Sequence, residues 1–469
     1  MDLPRTPIQG HLEALTAAFA AQGHRLYLVG GPVRDHILGR AIHDVDLTTA
    51  ATPDEIRRVA SKVNPSSVYD VGARFGTIGM IFHDPDGQPW PVEVTTFRTE
   101  QYLDGTRKPE VRFGTSLEDD LRRRDFTMNA IAVDLRDGSE HDPTGGRASI
   151  EAGVIVAVGN AVARFREDPL RLLRAVRFSS QLGFQIETVT EAAIVECAPE
   201  LARISRERVA AELNLILMSD RASSGMRRAT ELGLMADAMP ELVPMLGTSQ
   251  RPSGQHKDVF EHTMGVLDNL DGGDLGLRWA ALLHDVGKPA TKTVEDGVVH
   301  FIGHEEVGAR MAQRILRRLH LDSALVSRVV ALIRNHLRIN AYEATWTDSA
   351  VRRLIREVDP YLDDLIKLSR ADVTSYRRER RDAAAGRVDR FERRCAELQA
   401  AQDVARLRSP IDGDELMVLF GRPPGPWIRP VKEYLLGLVL DGELGEGDVE
   451  AARTLAKAFM QEREGLGDG

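Results

Sequence analysis

The chain has 469 residues, 42% apolar and 28% charged, with a net charge of −10; the composition is that of an ordinary soluble protein, and the length excludes a single hydrophobic core. Two cysteines, Cys197 and Cys395, exclude a disulfide framework and cysteine metal sites. With no charged-then-apolar leader and no apolar run of membrane-spanning length, a cytoplasmic protein without a membrane partner is expected.

Residues 1–148 alternate strand-like and helix-like runs: LYLVGG, VRDHILG, DVDLTT, a helix opening at Thr52-Pro53-Asp54-Glu55, TIGMIF, VEVTTF and AIAVDL. This predicts a mixed α/β head with a small sheet. Its stretch Leu26 to Leu47 reads LYLVGGPVRDHILGRAIHDVDL. A strand, the Gly30-Gly31 turn and a following helix leave bare backbone N–H groups where a polyphosphate can sit. With Ile42 to Thr48 taken as a strand, Asp44 and Asp46 share one face roughly 7 Å apart at Cα, suited to paired magnesium ions. A Gly-Gly turn or an Asp-x-Asp alone is usually only a turn or a solvated loop. Together, with Arg34-Asp35 between them, they resemble the signature of the nucleotidyltransferase superfamily, polymerase-beta-like in fold. On VEVTTF, Glu93 is a candidate third carboxylate or an outward-facing strand residue.

Tyr102 to Glu118 is polar and aperiodic and reads as a mobile loop. In LRRRDFTMNAIAVDL, Arg122 to Arg124 can clamp phosphates, and Asp125 and Asn129 can meet a ribose hydroxyl; the plainer account is a capped helix start with a basic edge.

Residues 149–228 are predicted to be a helical neck. Its first helix runs RFREDPLRLLRAVRFSSQLGF, with Asp168 as N-cap and Pro169 at the first position. Asp168, Arg171, Arg174 and Arg177 fall at successive steps of three, on one slowly drifting face. Periodicity alone gives an amphipathic helix with solvated arginines. Base chemistry gives a sharper reading. Cytosine presents an amino donor beside a ring acceptor, adenine does the same, and uracil and guanine reverse both. A carboxylate that accepts and a guanidinium that donates, Asp168 beside Arg171, would admit C and A without a nucleic-acid template.

At this point the sequence resembles the class II CCA-adding tRNA nucleotidyltransferases. LVGGPVRDHILGRAIHDVDL is similar to the family's first motif, RRDFTMNA to its ribose-reading motif, REDPLRLLRAVRF to its protein template, and Ser205-Arg206-Glu207-Arg208 with VAAELNLIL to its helix-supporting motif. The resemblance implies Asp44 and Asp46, with Glu93, as catalytic magnesium ligands. It implies Gly30, Gly31, Arg34, Arg124, Asp125, Asn129, Asp168, Arg171, Arg174 and Arg177 as nucleotide ligands, and CTP, ATP and tRNA as partners.

Residues 229–375 place His256 and His262 in QHKDVFEHT, His284-Asp285 in ALLHDVGKP, His304 in FIGHEEVGA, His336 in LIRNHLRI and Asp372 in SRADVTS. A lone histidine on an apolar helix is usually a satisfied core residue. Together these resemble an HD-domain metal site, which implies His262, His284, Asp285 and Asp372 as ligands of a transition metal or magnesium, with His304 and His336 available to a second ion.

Residues 376–469 read as a helical, RNA-binding tail with a Gly421 to Pro426 connector. Local charge can outweigh the acidic total. Arg310 to Asn340 holds seven arginines against Asp322, and Arg377 to Arg381 forms a second cluster; each is an RNA surface or a solvated helix face. The expected reaction is addition of C, C and A to the tRNA 3′ end. The alternatives are a bacterial poly(A) polymerase, an enzyme limited to CC or A addition, or an HD phosphohydrolase with a regulatory nucleotide-binding head.

Overall fold

The structure is a computed structural model that describes residues 6–72, 76–101, 110–114, 116–250, 258–270, 272–374, 378–401 and 408–465. The chain divides into two compact units, Met1–Pro240 and Glu241–Gly469.

In the first unit the strands of the head are β1 (Leu26–Val29), β2 (Val45–Thr49), β3 (Ser67–Gly72), β4 (Thr77–His83), β5 (Pro89–Thr96), β6 (Arg98–Gln101), β7 (Glu110–Phe113), β8 (Ala132–Asp134) and β9 (Glu140–His141), followed by a parallel pair, β10 (Val154–Ile155) with β11 (Gln185–Ile186). Seven of them form one sheet in the order β3-β4-β5-β2-β1-β8-β9, while β6 and β7 pair as a separate hairpin. Only β2 and β5 run parallel within the large sheet, in a register that sets Asp46 opposite Glu93. Strand alternation explains why this register holds: Val45, Leu47, Val92 and Val94 are buried, so a slip of one residue would turn the carboxylates into the core. The helix at Pro53–Val63 starts where Thr52 and Glu55 form a reciprocal capping box.

Three expectations shift. Asp44 precedes β2 rather than sitting in it, and is exposed. The reading helix spans Leu170–Leu182, one residue later than expected, although Asp168 still accepts the Leu170 N–H at 3.2 Å. The loop expected over Tyr102 to Glu118 is strand β7 and, where Ser116 caps Leu117–Arg122, a helix start; 102–109 and 115 lie outside the described residues.

Among the described residues the second unit's helices are joined by one short hairpin, Thr293–Glu295 with Val298–His300. Helices Val259–Asn269, Leu275–Leu283, His304–Arg318, Ser323–Asn340 and Leu362–Ala371 surround the histidines. A Cβ on Gly287 would lie 2.3 Å from the His304 carbonyl oxygen and 2.6 Å from the Gly308 nitrogen, so only glycine lets the turn after His284-Asp285 close on its neighbour. In the tail, Trp427 Nε1 donates to the Pro423 carbonyl at 3.0 Å, which folds the proline connector back on itself. Among the described residues no helix is long and apolar enough to cross a membrane.

Candidate active site

A cleft of about 550 Å³ in the first unit is lined by seven arginines (Arg34, Arg123, Arg124, Arg171, Arg174, Arg177 and Arg208) and four aspartates (Asp44, Asp46, Asp125 and Asp168), with Gly30, Gly31, Asn129 and Phe178 among the rest. A volume of this order suits a nucleotide. Every nucleotide ligand expected from the sequence lies on this lining, together with Asp44 and Asp46. Glu93 joins through its register with Asp46.

At the carboxylate end, burial and the neighbouring Asp44 and Glu93 charges push the Asp46 carboxyl up to about 6, against the pull of Arg124. Burial and Asp44 also raise Glu93. Crowded carboxylates with an all-oxygen donor set are what a hard divalent cation relieves. Gly30 sits at φ +79°, and a Cβ there would approach Arg124 Nη1 to 3.4 Å and Asp46 Oδ2 to 3.9 Å. Glycine therefore serves both the turn and the narrow space between cation and carboxylate.

Asp120, which the sequence reading did not single out, organises the basic side. It is fully buried and takes Arg123 Nη2 at 2.6 Å and Arg124 Nη2 at 3.1 Å. The signal was present as an i, i+4 pair ahead of the arginine run. Arg34 is buried and donates to Asn129 Oδ1 at 2.9 Å and to both Asp35 oxygens at 3.0 Å. Asp125 accepts Arg174 Nε and Nη2 at 2.8 and 2.6 Å, Asn129 Nδ2 at 3.2 Å and the Phe126 N–H at 2.8 Å. Burial would raise its carboxyl, but Arg174 and these donors hold it down at about 2. Asp125 and Asn129, expected at a ribose, thus also tie Arg34 and Arg174 together.

The Asp168 and Arg171 side chains take other partners, although the Arg171 N–H donates to the Asp168 carbonyl at 3.0 Å. Asp168 Oδ2 accepts from Arg208 Nη2 at 2.9 Å. Arg171 Nη1 donates to Glu167 Oε2 and the Arg164 carbonyl, both at 2.8 Å, and its Nη2 to the Arg123 carbonyl at 3.3 Å. Farther along the helix, buried Glu212 lies 3.3 Å from Arg177 and 3.8 Å from Arg174. Burial lowers Arg177 to about 10 in spite of Glu212. Three guanidiniums, of Arg34, Arg174 and Arg177, lie over the Phe178 ring at 5.1, 5.4 and 4.3 Å, where the negative π face offsets their repulsion. Glu167, Glu212 and Phe178 are not singled out by the sequence, since their partners come from other elements or from a neighbouring turn.

In the second unit two groups of three gather ligand atoms within 4.8 Å of one another: His262, His284 and Asp372, and Asp285, His304 and His336. Asp44, Asp46 and Glu93 are not drawn into such a group among the described residues. Asp285 joins the two histidine groups. Its Oδ2 lies 3.3 and 3.2 Å from the Nε2 atoms of His262 and His284, and its Oδ1 lies 3.4 and 3.8 Å from those of His304 and His336. The Nδ1 atoms of His284, His304 and His336 face the carbonyls of Ala281, Phe301 and Ile333 at 2.8, 2.7 and 2.6 Å, which sets the tautomer that leaves each Nε2 bare. His262 Nδ1 meets the Thr374 hydroxyl at 2.7 Å instead. Burial would raise Asp285, yet the His284 and Lys288 charges hold it well below the usual carboxylate range, and its Oδ1 is buried without a hydrogen bond. Imidazoles gathered round a carboxylate with one oxygen free of hydrogen bonds suit a divalent metal, although Lys288 Nζ donates to the other oxygen at 2.6 Å. His256 lies outside the described residues.

Four of the seven arginines over Arg310 to Asn340 are paired with acids. Arg318 pairs with Glu241 at 2.6 Å, Arg328 with Asp274 and Asp364 at 2.7 and 2.6 Å, Arg334 with Glu306 at 3.0 Å, and Arg338 with Glu357. Counting charge along the sequence missed these acids because they arrive from other helices. Of the second cluster, Arg377 is outside the described residues, and Arg378 lies 3.7 Å from Asp382.

Three family models match the chain: "Poly A polymerase head domain" over 26–156, "Probable RNA and SrmB- binding site of polymerase A" over 183–246, and "HD domain" over 259–377. A CCA-adding enzyme of Geobacillus thermodenitrificans is 32% identical over 447 residues, 94% of each chain. An A-adding tRNA nucleotidyltransferase of Deinococcus radiodurans is 35% identical over 455 residues, 93% of this chain and 96% of that one. The crystal structure of the Bacillus stearothermophilus CCA-adding enzyme in complex with CTP superposes with a TM-score of 0.69 at 29% identity, covering 99% of this chain and 100% of that one.

Proposed function

This chain belongs to the CCA-adding tRNA nucleotidyltransferase family, and on that premise we propose that it adds C, C and A to the 3′ end of tRNA from CTP and ATP in the cytoplasm. The observation that carries the reading is that one cleft gathers Asp44 and Asp46, the arginines Arg34, Arg124 and Arg174, and Asp168 with Arg171.

In this reading Asp44, Asp46 and Glu93 hold divalent cations. Magnesium there supplies charge neutralisation at the triphosphate and a lowered pKa for the RNA 3′ hydroxyl. Arg34, Arg124 and Arg174 receive the triphosphate and ribose, each already oriented by Asp35, Asp120 or Asp125. Asp168 accepts the amino hydrogen of C or A, and Arg171 donates to the adjacent ring nitrogen. The test offers each NTP separately to tRNA transcripts ending at the discriminator base, at C and at CC. Stepwise C, C and A addition is expected, lost in Asp44→Ala; substantial CTP incorporation by that variant overturns the assignment.

The A-adding relative favours one rival within the family. The same assay separates it, because an A-only enzyme extends solely the CC-ending transcript, and solely with ATP.

For the second unit we infer a metal-dependent phosphate-ester hydrolase. His262, His284 and Asp372 would hold one ion and Asp285, His304 and His336 another. Hydrolysis of an aryl phosphate that is lost in His284→Ala but kept in Asp46→Ala is expected; equal loss in both would assign the hydrolysis to the head.

A further inference from the structure

The two base-reading groups are secured in unlike ways. The Arg171 guanidinium is 10% exposed and is held by Glu167 and two backbone carbonyls. Asp168 stands in the break between helices Ala161–Glu167 and Leu170–Leu182, so neither helix fixes its rotamer. One of its oxygens takes the Leu170 N–H at 3.2 Å; the other is held by Arg208 at 2.9 Å. Arg208 is itself half exposed and lines the same cleft.

Arg208 comes from a well-anchored helix, Arg206–Leu217. Two residues before it, Arg206 grips Asp237 at 2.9 Å, and one turn after it, Glu212 meets Arg177 at 3.3 Å. The helix therefore sets the Arg208 backbone at a fixed place, from which its guanidinium reaches Asp168 at 2.9 Å.

We propose that Arg208 is a positioning residue for base selection: it fixes the Asp168 carboxylate opposite the amino position of the incoming base and so separates C and A from U and G. This rests on the reading that Asp168 and Arg171 select the base. Cytosine offers its amino donor at one place on its edge and a ring acceptor at the next, whereas uracil offers an acceptor and then a ring N–H donor. A carboxylate fixed at the first place meets a donor in cytosine and an acceptor in uracil. Freed to swing by one place, it reaches the ring N–H of uracil, while Arg171 still finds a carbonyl oxygen to donate to. Selectivity thus depends on holding the carboxylate still as well as on having it.

The test measures U-for-C misincorporation on transcripts ending at the discriminator base, with wild type, Arg208→Ala, Arg208→Gln, Arg208→Lys, Asp168→Ala and the Asp168→Ala/Arg208→Ala double variant. Arg208→Ala and Arg208→Gln should raise the UTP-to-CTP ratio on the order of tenfold, the discrimination expected of one well-placed polar pair. Arg208→Lys should restore part of it, and in the Asp168→Ala background loss of Arg208 should change the ratio no further. The Gln variant keeps the bulk of the side chain, and CTP against UTP binding without RNA gives the ratio for any variant too slow to extend. A helix-supporting role alone would lower the rate with both nucleotides and leave the ratio at its wild-type value, which overturns the proposal. So does an equal rise in ratio with and without Asp168. If Asp168→Ala itself leaves the ratio intact, the base-reading assignment fails; if it relaxes the ratio and the Arg208 variants do not, only the role of Arg208 fails.

Discussion

Asp46 on β2 and Glu93 on β5 are register partners across the parallel pair of the sheet, so their carboxyls leave it on the same face and at the same level. With Asp44 nearby, this crowding and burial raise Asp46 from 3.8 to about 6. A raised acid favours the protonated folded state. The stability linked to it is present below about pH 4 and is lost as pH rises through about 6. In protein freed of divalent ions, Asp46→Asn should therefore raise the melting temperature at neutral pH, by on the order of 2–4 °C, while abolishing nucleotide transfer. Calorimetry with chelator, at pH 4.5 and 7.5, checks this; an equal gain at both values would contradict it.

Asp125 works in the opposite sense. Its carboxyl is depressed to about 2 by Arg174 and its other donors against the effect of burial, so its stabilising contribution is present above about pH 4 and is lost as pH falls toward 2. Asp125→Ala leaves Arg174 and Asn129 without their shared acceptor. Removing one partner of a buried pair costs about 3–5 kcal/mol. Urea unfolding should show a loss of that order, and a loss under about 1 kcal/mol would mean that water replaces the carboxylate freely.

Two glycines should respond differently to alanine. At Gly30 the nearest atom to a new Cβ is the tip of the Arg124 side chain at 3.4 Å, but φ is +79°. Strain of about 1–2 kcal/mol and a displaced Arg124 follow, so Gly30→Ala should fold and lose transfer. At Gly287 the nearest atoms are backbone, at 2.3 and 2.6 Å. Gly287→Ala should destabilise the second unit by about 1–3 kcal/mol and lower its metal content. Melting curves paired with transfer assays distinguish the two; transfer by Gly30→Ala at the wild-type rate would remove the steric argument for that glycine.

What could be read along the chain was whatever is local in it. The Gly30-Gly31 turn, Asp44-x-Asp46 and the steps of three from Asp168 to Arg177 each lie within one segment, and the structure sets them on one cleft. The partners that orient those groups were not legible. Arg174 finds Asp125 across 49 residues, Arg208 finds Asp168 across 40 and Arg177 finds Glu212 across 35. The charge count for Arg310 to Asn340 came out too high for the same reason, since Arg318 meets Glu241 from 77 residues away. Folding decides which charges remain free, and periodicity cannot count acids from other helices.

Asp285 directs one oxygen to His262 and His284 and the other to His304 and His336. Beyond the one ion proposed for it, this geometry would let Asp285 reach a second ion if Lys288, which donates to its Oδ2 at 2.6 Å, gives way, whereas His284 and His336 would each serve one. His284→Ala and His336→Ala should each lose about one divalent ion per chain relative to wild type, and Asp285→Asn both, because an amide lacks the charge that bridges two cations. Metal analysis after dialysis against manganese, alongside CTP transfer to tRNA, reads this out. The structural cost need not confuse the result: Asn preserves the shape of the side chain, and three of the four imidazoles stay oriented by backbone carbonyls whatever occupies position 285. An Asp285→Asn protein that keeps one tightly held ion would show that the two groups are separate sites, with the HD aspartate belonging to only one of them.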